Sequence, residues 1–132
     1  MPILNVKLSS PASVALSRKV ADTLSALSTR LLGKDPRVTS IAIDFVSPAH
    51  WYIGGKPLSE QGVESFFFDI RITDETNTKA EKAACVAEAY AALCQLLGPV
   101  HEESYIHVHD VRAASYGYGG RTQEWRYQHP AA

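Results

Sequence analysis

The chain has 132 residues, 45% of them hydrophobic and 20% charged, a mix that fits one compact domain and excludes disordered and fibrous classes. Thirteen Lys and Arg against fourteen Asp and Glu leave a net charge of −1, which excludes a nucleic-acid grip built on bulk positive field. No apolar run reaches the roughly 18–20 residues of a bilayer span, and Met1-Pro2-Ile3-Leu4-Asn5 lacks the basic start of a secretory signal, so a cytoplasmic protein with no membrane or nucleic-acid partner is expected.

Ile3 to Leu8 alternates, with Leu4, Val6 and Leu8 on one face and Asn5 and Lys7 on the other, and predicts a strand. A helix is expected from about Ser13 to Leu32, its stripe at Leu16, Val20, Leu24, Leu27 and Leu31, with Gly33 as its stop. Ile41 to Val46 reads as a second strand, followed by the glycine turn Trp51-Tyr-Ile-Gly-Gly. Phe66, Phe68, Ile70 and Ile72 form one face of a third strand. Thr78-x-x-Glu81 offers a capping box for a helix that reaches Leu97 and stops at Gly98-Pro99. Cys85 and Cys94 point to opposite sides of that helix and cannot bridge each other, which suits free thiols in a reducing compartment. In the last strand Ile106 and Val108 alternate with Tyr105, His107 and His109. Arg121 to Ala132 shows no periodicity and reads as a tail packed on a neighbouring subunit, because Trp125 and Tyr127 would otherwise be exposed.

A shift of 65 residues lays Leu31-Leu32-Gly33 on Leu96-Leu97-Gly98, Ile41 on Ile106, Val46 on Val111 and Trp51 on Tyr116. The same shift lays Gly54-Gly55 on Gly119-Gly120. One register held over several elements predicts a single domain of two β-α-β pseudo-repeats, about 2–62 and 63–124, plus a short C-terminal tail. Parallel pairing within each unit gives an α/β (α+β) fold, a four-stranded mixed sheet with two helices on one face. The opposite face, with Asn5, Lys7, Asp44, Phe67, Asp69, Arg71, Tyr105 and His107, has no cover of its own, so a homo-oligomer is expected.

The opening Met1-Pro2-Ile3-Leu4, the paired β-α-β units and the glycine turns resemble the tautomerase superfamily, in its fused 4-oxalocrotonate tautomerase and macrophage migration inhibitory factor forms. Gly33-Lys34 is similar to the lysine loop of the inhibitory factor branch, and Tyr105 to Ala114 to its last core strand. The resemblance implies a homotrimer and a tautomerase without cofactor. Pro2 would act as general base through its secondary amine, moving a proton between carbon and oxygen of a small 2-oxo acid or phenylpyruvate-like substrate. An amine serves as base when burial and neighbouring cations keep it neutral, and the proline ring holds it rigidly. Lys34 and Arg71 could supply those cations or hold a substrate carboxylate or enolate. By the same resemblance, Tyr105 and His107 line the pocket from a neighbouring subunit. His107 stands where the inhibitory factor branch has asparagine, and the arginine pair of the short tautomerases has no match, since Ala42 and His107 occupy one of those positions.

Phe67 is expected at the place of Pro2 in the second unit, which leaves one active site per chain. The mechanism also requires Met1 to be removed. His107 and His109 share a strand face but lack a third ligand, so no metal is expected. Two other activities use the same scaffold. One is hydration, dehalogenation or decarboxylation of a short unsaturated or β-oxo acid by the same proline; the other is a non-enzymatic interaction role.

Overall fold

The computed structural model describes residues 2–130; the expected removal of Met1 and the last two residues of the tail lie outside the described residues. The first unit runs β1 (Ile3–Leu8), α1 (Val14–Leu32) and β2 (Ser40–Phe45), then a hairpin of β3 (Tyr52–Ile53) and β4 (Lys56–Pro57). The second runs β5 (Phe66–Thr73), α2 (Lys79–Leu97) and β6 (Tyr105–Val111), then a hairpin of β7 (Gly117–Tyr118) and β8 (Arg121–Thr122) and the short helix α3 (Gln123–Gln128). Both ends of α2, and the starts of β6, β7 and β8, fall 65 residues after their counterparts.

Local signals explain where the helices start and stop. Ser13 caps α1 by accepting the Leu16 N–H, and Gly33 ends it in the left-handed region at φ 69°, where a side chain would be strained. Thr78 and Glu81 close the reciprocal capping box of α2. The last segment is not a structureless tail. Thr122 caps α3 by accepting the Trp125 N–H, and six residues are too few to show a period in the sequence. Within α3, Gln123 is buried, Trp125 is half-buried with its ring stacked 4.3 Å from His129, and Tyr127 is exposed.

The four long strands form one sheet in the order β2-β1-β5-β6. β1 pairs parallel with β2 and antiparallel with β5, while β5 pairs parallel with β6. The mixed sheet with two principal helices is therefore the architecture. Leu4, Val6, Leu8, Phe66, Phe68, Ile70 and Ile72 are buried, packed with Val20, Leu24 and Leu27 of α1 and Cys85, Ala89 and Leu93 of α2. Each Val, Leu, Ile or Phe among them contributes about 1.5–3 kcal/mol of burial free energy. The alternate residues Asn5, Lys7, Arg71, Tyr105, His107 and His109 are exposed on the other face.

The register corrects one expectation. Ile3 lies opposite Ser40, and Phe67 opposite Tyr105. Because Ser40 and Tyr105 correspond, Phe67 matches Ile3, and the counterpart of Pro2 is Phe66. Leu8, the last residue of β1, matches Ile72, so β5 runs one residue further, to Thr73, before a turn of the same length that holds Glu75 at φ 63°. That extra residue shifts the repeat from 65 to 64 in the first strand.

Neither cysteine is bridged. Burial pushes the Cys85 thiol up to about 11, with a smaller push from the Glu88 carboxylate. At pH 8 we expect one equivalent of thiol reagent to label Cys94 in the native protein, and Cys85 to react only on unfolding, as peptide mapping would show. Rapid labelling of Cys85 at pH 8 would contradict its burial.

Candidate active site

Pro2 is buried at the head of β1, one residue before the pair Ile3 and Arg71. Its carbonyl accepts the Ser40 N–H at 3.1 Å, which joins it to the start of β2. Pro2 lines a cavity of about 340 Å³ with Ile3, Val38, Ser40, Tyr116, Gly117 and Tyr118. Gly117 allows the second hairpin to close tightly, because a Cβ there would sit 1.8 Å from the Arg121 carbonyl oxygen.

Two tyrosines form the hairpin wall of this cavity. Tyr116 is half-buried and its hydroxyl hydrogen-bonds the Thr73 hydroxyl at the end of β5. Burial raises the Tyr116 phenol above its ordinary pKa, the bond to Thr73 opposing it, so the group stays neutral at physiological pH. Tyr118 carries the Arg126 guanidinium 3.8 Å from its ring centre, and Arg126 also donates Nη2–H to the Tyr118 carbonyl at 2.8 Å. The α3 helix thereby buttresses the cavity wall from behind.

The other expected site residues lie around the sheet rather than in this cavity. Lys34 follows Gly33 at the end of α1 and donates to Thr76 Oγ1 at 3.0 Å. Burial lowers its ammonium pKa, against the opposing pull of the Glu81 and Asp110 carboxylates. Arg71 is exposed on the helix-free face, its Nε 3.7 Å from Asp69 Oδ1. His107 and His109 lie on that face with ring centres 5.4 Å apart. Tyr105 donates its hydroxyl to Glu103 at 2.7 Å, which raises its pKa. It lies opposite Phe67, five residues along β5 from Ile72, so about 16 Å of strand separates it from the Pro2 end. Within one chain, therefore, only Pro2 of the expected set lines the cavity. Val38, Ser40, Tyr116 and Tyr118 join it. The available sequence signal was the alignment of Tyr116 with Trp51, an aromatic recurring beside each glycine turn.

No family model matches the chain, and no curated protein does. Solved structures match it closely in shape. A wild-type fused 4-OT, Q0, solved as a symmetric trimer, superposes with a TM-score of 0.79 at 16% identity over 92% of this chain and 96% of its own. Pt0534, solved after inactivation by 2-oxo-3-pentynoate, gives 0.80 at 14% over 93% and 97%. The macrophage migration inhibitory factor-like protein of Entamoeba histolytica gives 0.75 at 18% over 92% and 97%. The fold is that of the tautomerase superfamily. On that fold the first strand carries Pro2 into the cavity described, and the second hairpin supplies the wall.

Removing the Tyr116 hydroxyl leaves the Thr73 hydroxyl without its partner. Tyr116→Phe should cost about 1 kcal/mol in denaturant unfolding without changing the m-value. A neutral result would mean that water replaces the bond.

Proposed function

We propose that the protein is a cofactor-independent tautomerase, with Pro2 as the general base for keto–enol proton transfer in a small 2-oxo acid or phenylpyruvate-like substrate. The observation that carries this reading is the position of Pro2: a secondary amine at the head of the central strand, buried in an apolar cavity, on the tautomerase fold. Once Met1 is removed, the ring nitrogen has a free lone pair. It takes the proton from the carbon next to the substrate carbonyl and becomes an ammonium, while the electron pair moves onto the carbonyl oxygen as an enolate. The ammonium then returns the proton to that oxygen, and the base is regenerated. Lys34 and Arg71 lie outside the cavity lining, Arg71 opposite Ile3, and in this reading they reach the substrate from the cavity's edge to orient its carboxylate or stabilise the enolate. Tyr116 and Tyr118 exclude water and flank the ring or chain of the substrate.

The working form in this reading is a homotrimer in the cytoplasm, with Tyr105 and His107 completing each pocket from the next subunit. The open sheet face supports it. Asp69 Oδ1 is buried there with no hydrogen-bond partner among the described residues, the Arg71 Nε at 3.7 Å being too far for one, so a neighbour's donor would satisfy it. Solved relatives of the fold include a symmetric and two asymmetric trimers of fused 4-OT. The two pseudo-repeats, about 2–62 and 63–124, act in this reading as one domain with one base.

The deciding measurement is ultraviolet-monitored ketonisation of phenylenolpyruvate and 2-hydroxymuconate. Pro2→Ala should lower kcat/KM by about 100-fold or more. Equal rates for both proteins would remove the proline base from the account, and an intact mass that retains Met1 would do the same. 2-Oxo-3-pentynoate, the compound that inactivates Pt0534, should add one equivalent to the wild-type chain at Pro2 and none to Pro2→Ala. For the shared pocket, refolding Pro2→Ala chains together with His107→Ala chains should recover activity above either parent. No recovery would place His107 outside the site.

A further inference from the structure

The second hairpin carries polar groups at positions that the first fills with apolar ones. Each hairpin is tied by the same backbone bond, Leu58 N–H to the Trp51 carbonyl at 2.8 Å and Gln123 N–H to the Tyr116 carbonyl at 2.9 Å. The shift that lays Trp51 on Tyr116 also lays Leu58 on Gln123. Both are buried, Leu58 at 1% exposed and Gln123 at 6%. Leucine is the stabilising residue at such a place. The Gln123 amide is instead buried with its Oε1 lacking a hydrogen-bond partner among the described residues, which costs stability. Stability alone therefore does not account for Gln123, and the hairpin that leads into it is the one that closes on Pro2.

The Gln123 side chain acts on the Tyr116 hydroxyl. Burial raises the pKa of that phenol, and hydrogen bonds with the Thr73 and Gln123 side chains pull it back down. The Thr73 and Tyr116 hydroxyls share one hydrogen bond but carry two protons, so one O–H is left for a third acceptor. The pair also sits beside the amine. Ile3 lies opposite Arg71 in antiparallel register, so Pro2 comes level with Ile72 and its nitrogen points along the strand toward Thr73. Tyr116 lines the cavity with Pro2, whereas Lys34 and Arg71 do not. A neutral hydroxyl held beside the base, with a proton to offer, suits the oxygen on which charge develops.

We propose that Tyr116 is the hydrogen-bond donor to the enolate oxygen formed in the Pro2 cavity, and that Thr73 and Gln123 are positioning residues that hold its hydroxyl. This rests on the proline-base reading and adds to it the group that receives the developing charge. As Pro2 takes the proton from carbon, the C–H electron pair becomes the C=C bond and the carbonyl π pair moves onto oxygen. The Tyr116 O–H donates to that oxygen, while Thr73 and Gln123 donate to the phenol oxygen. The proton stays on Tyr116, and the Pro2 ammonium returns its own proton to the substrate oxygen. Lys34 and Arg71 are then left to the carboxylate.

The test is steady-state ketonisation of phenylenolpyruvate by the full chain, with Pro2→Ala, Tyr116→Phe and Gln123→Leu run beside wild type. Tyr116→Phe should lose about tenfold or more in kcat with KM within about threefold of wild type, because the bond is made to charge that exists only as the enolate forms. Gln123→Leu places the residue of the first hairpin in the second. It should melt at the wild-type temperature or above and still lose about threefold or more in kcat, through a misplaced hydroxyl. A purely structural Gln123 predicts the reverse, a lower melting temperature with kcat unchanged. If Pro2→Ala loses activity while a folded Tyr116→Phe keeps the wild-type kcat, or changes KM alone, the tyrosine role is overturned and the proline base stands. If Pro2→Ala keeps the wild-type rate, the base falls and this proposal falls with it. Should Tyr116→Phe fail to fold, Gln123→Leu decides, and an unchanged kcat there overturns the proposal.

Discussion

The antiparallel pairing of β1 with β5 is the joint on which the molecule depends. Each unit alone is a parallel strand pair with one helix, and such a pair cannot cover its own apolar face with enough area to be stable. Six residue pairs, from Ile3 with Arg71 to Leu8 with Phe66, join the two into one sheet and bring both helices to the same side. The joint also runs the two units in opposite directions. The head of β1 and the head of β5 therefore emerge at opposite ends of the sheet.

Placing Pro2 at the head of a central strand has an energetic logic. Proline donates no backbone hydrogen bond, so it belongs at the first residue of a strand or at an edge. Here its carbonyl accepts the Ser40 N–H, so its one backbone acceptor is used at the start of the sheet. The ring that cannot serve an interior ladder position thus sits where the sheet asks for no donor from it. The hairpin that walls the cavity is made from the far end of the chain, and Arg126 of α3 grips Tyr118 from behind. The cavity therefore forms only when the first and last elements are both in place.

Much of this architecture was legible in the residues. Alternation placed Leu4, Val6 and Leu8, and Phe66 through Ile72, on the buried face, and Ser13, Thr78, Gly33 and Gly98 marked the helix ends because caps are local chemistry. The register of β5 was less accessible. The internal match was strongest downstream of the first helix, and the one-residue slip before α2 could be seen only when Phe67 was found opposite Tyr105. Tyr116 and Tyr118 escaped notice as cavity residues because a two-residue strand has no period to detect, and their role arises from closure of the chain onto Pro2. Lys34, Arg71, Tyr105 and His107 are spread over both ends and the open face of the sheet. Sequence spacing carries no information about which of them a neighbouring chain would bring to the cavity.

Because both β-α-β units come from one polypeptide, their residues are encoded separately. In an assembly of identical short chains, every substitution is copied into every pocket, and a change that suits one ligand is imposed on all. Here a codon change at Trp51 leaves Tyr116 untouched, and one at Glu103 leaves Val38 untouched. The covalent link between the halves thus gives selection two independent dials on a single scaffold, so one half can change its side chains while the other keeps its own.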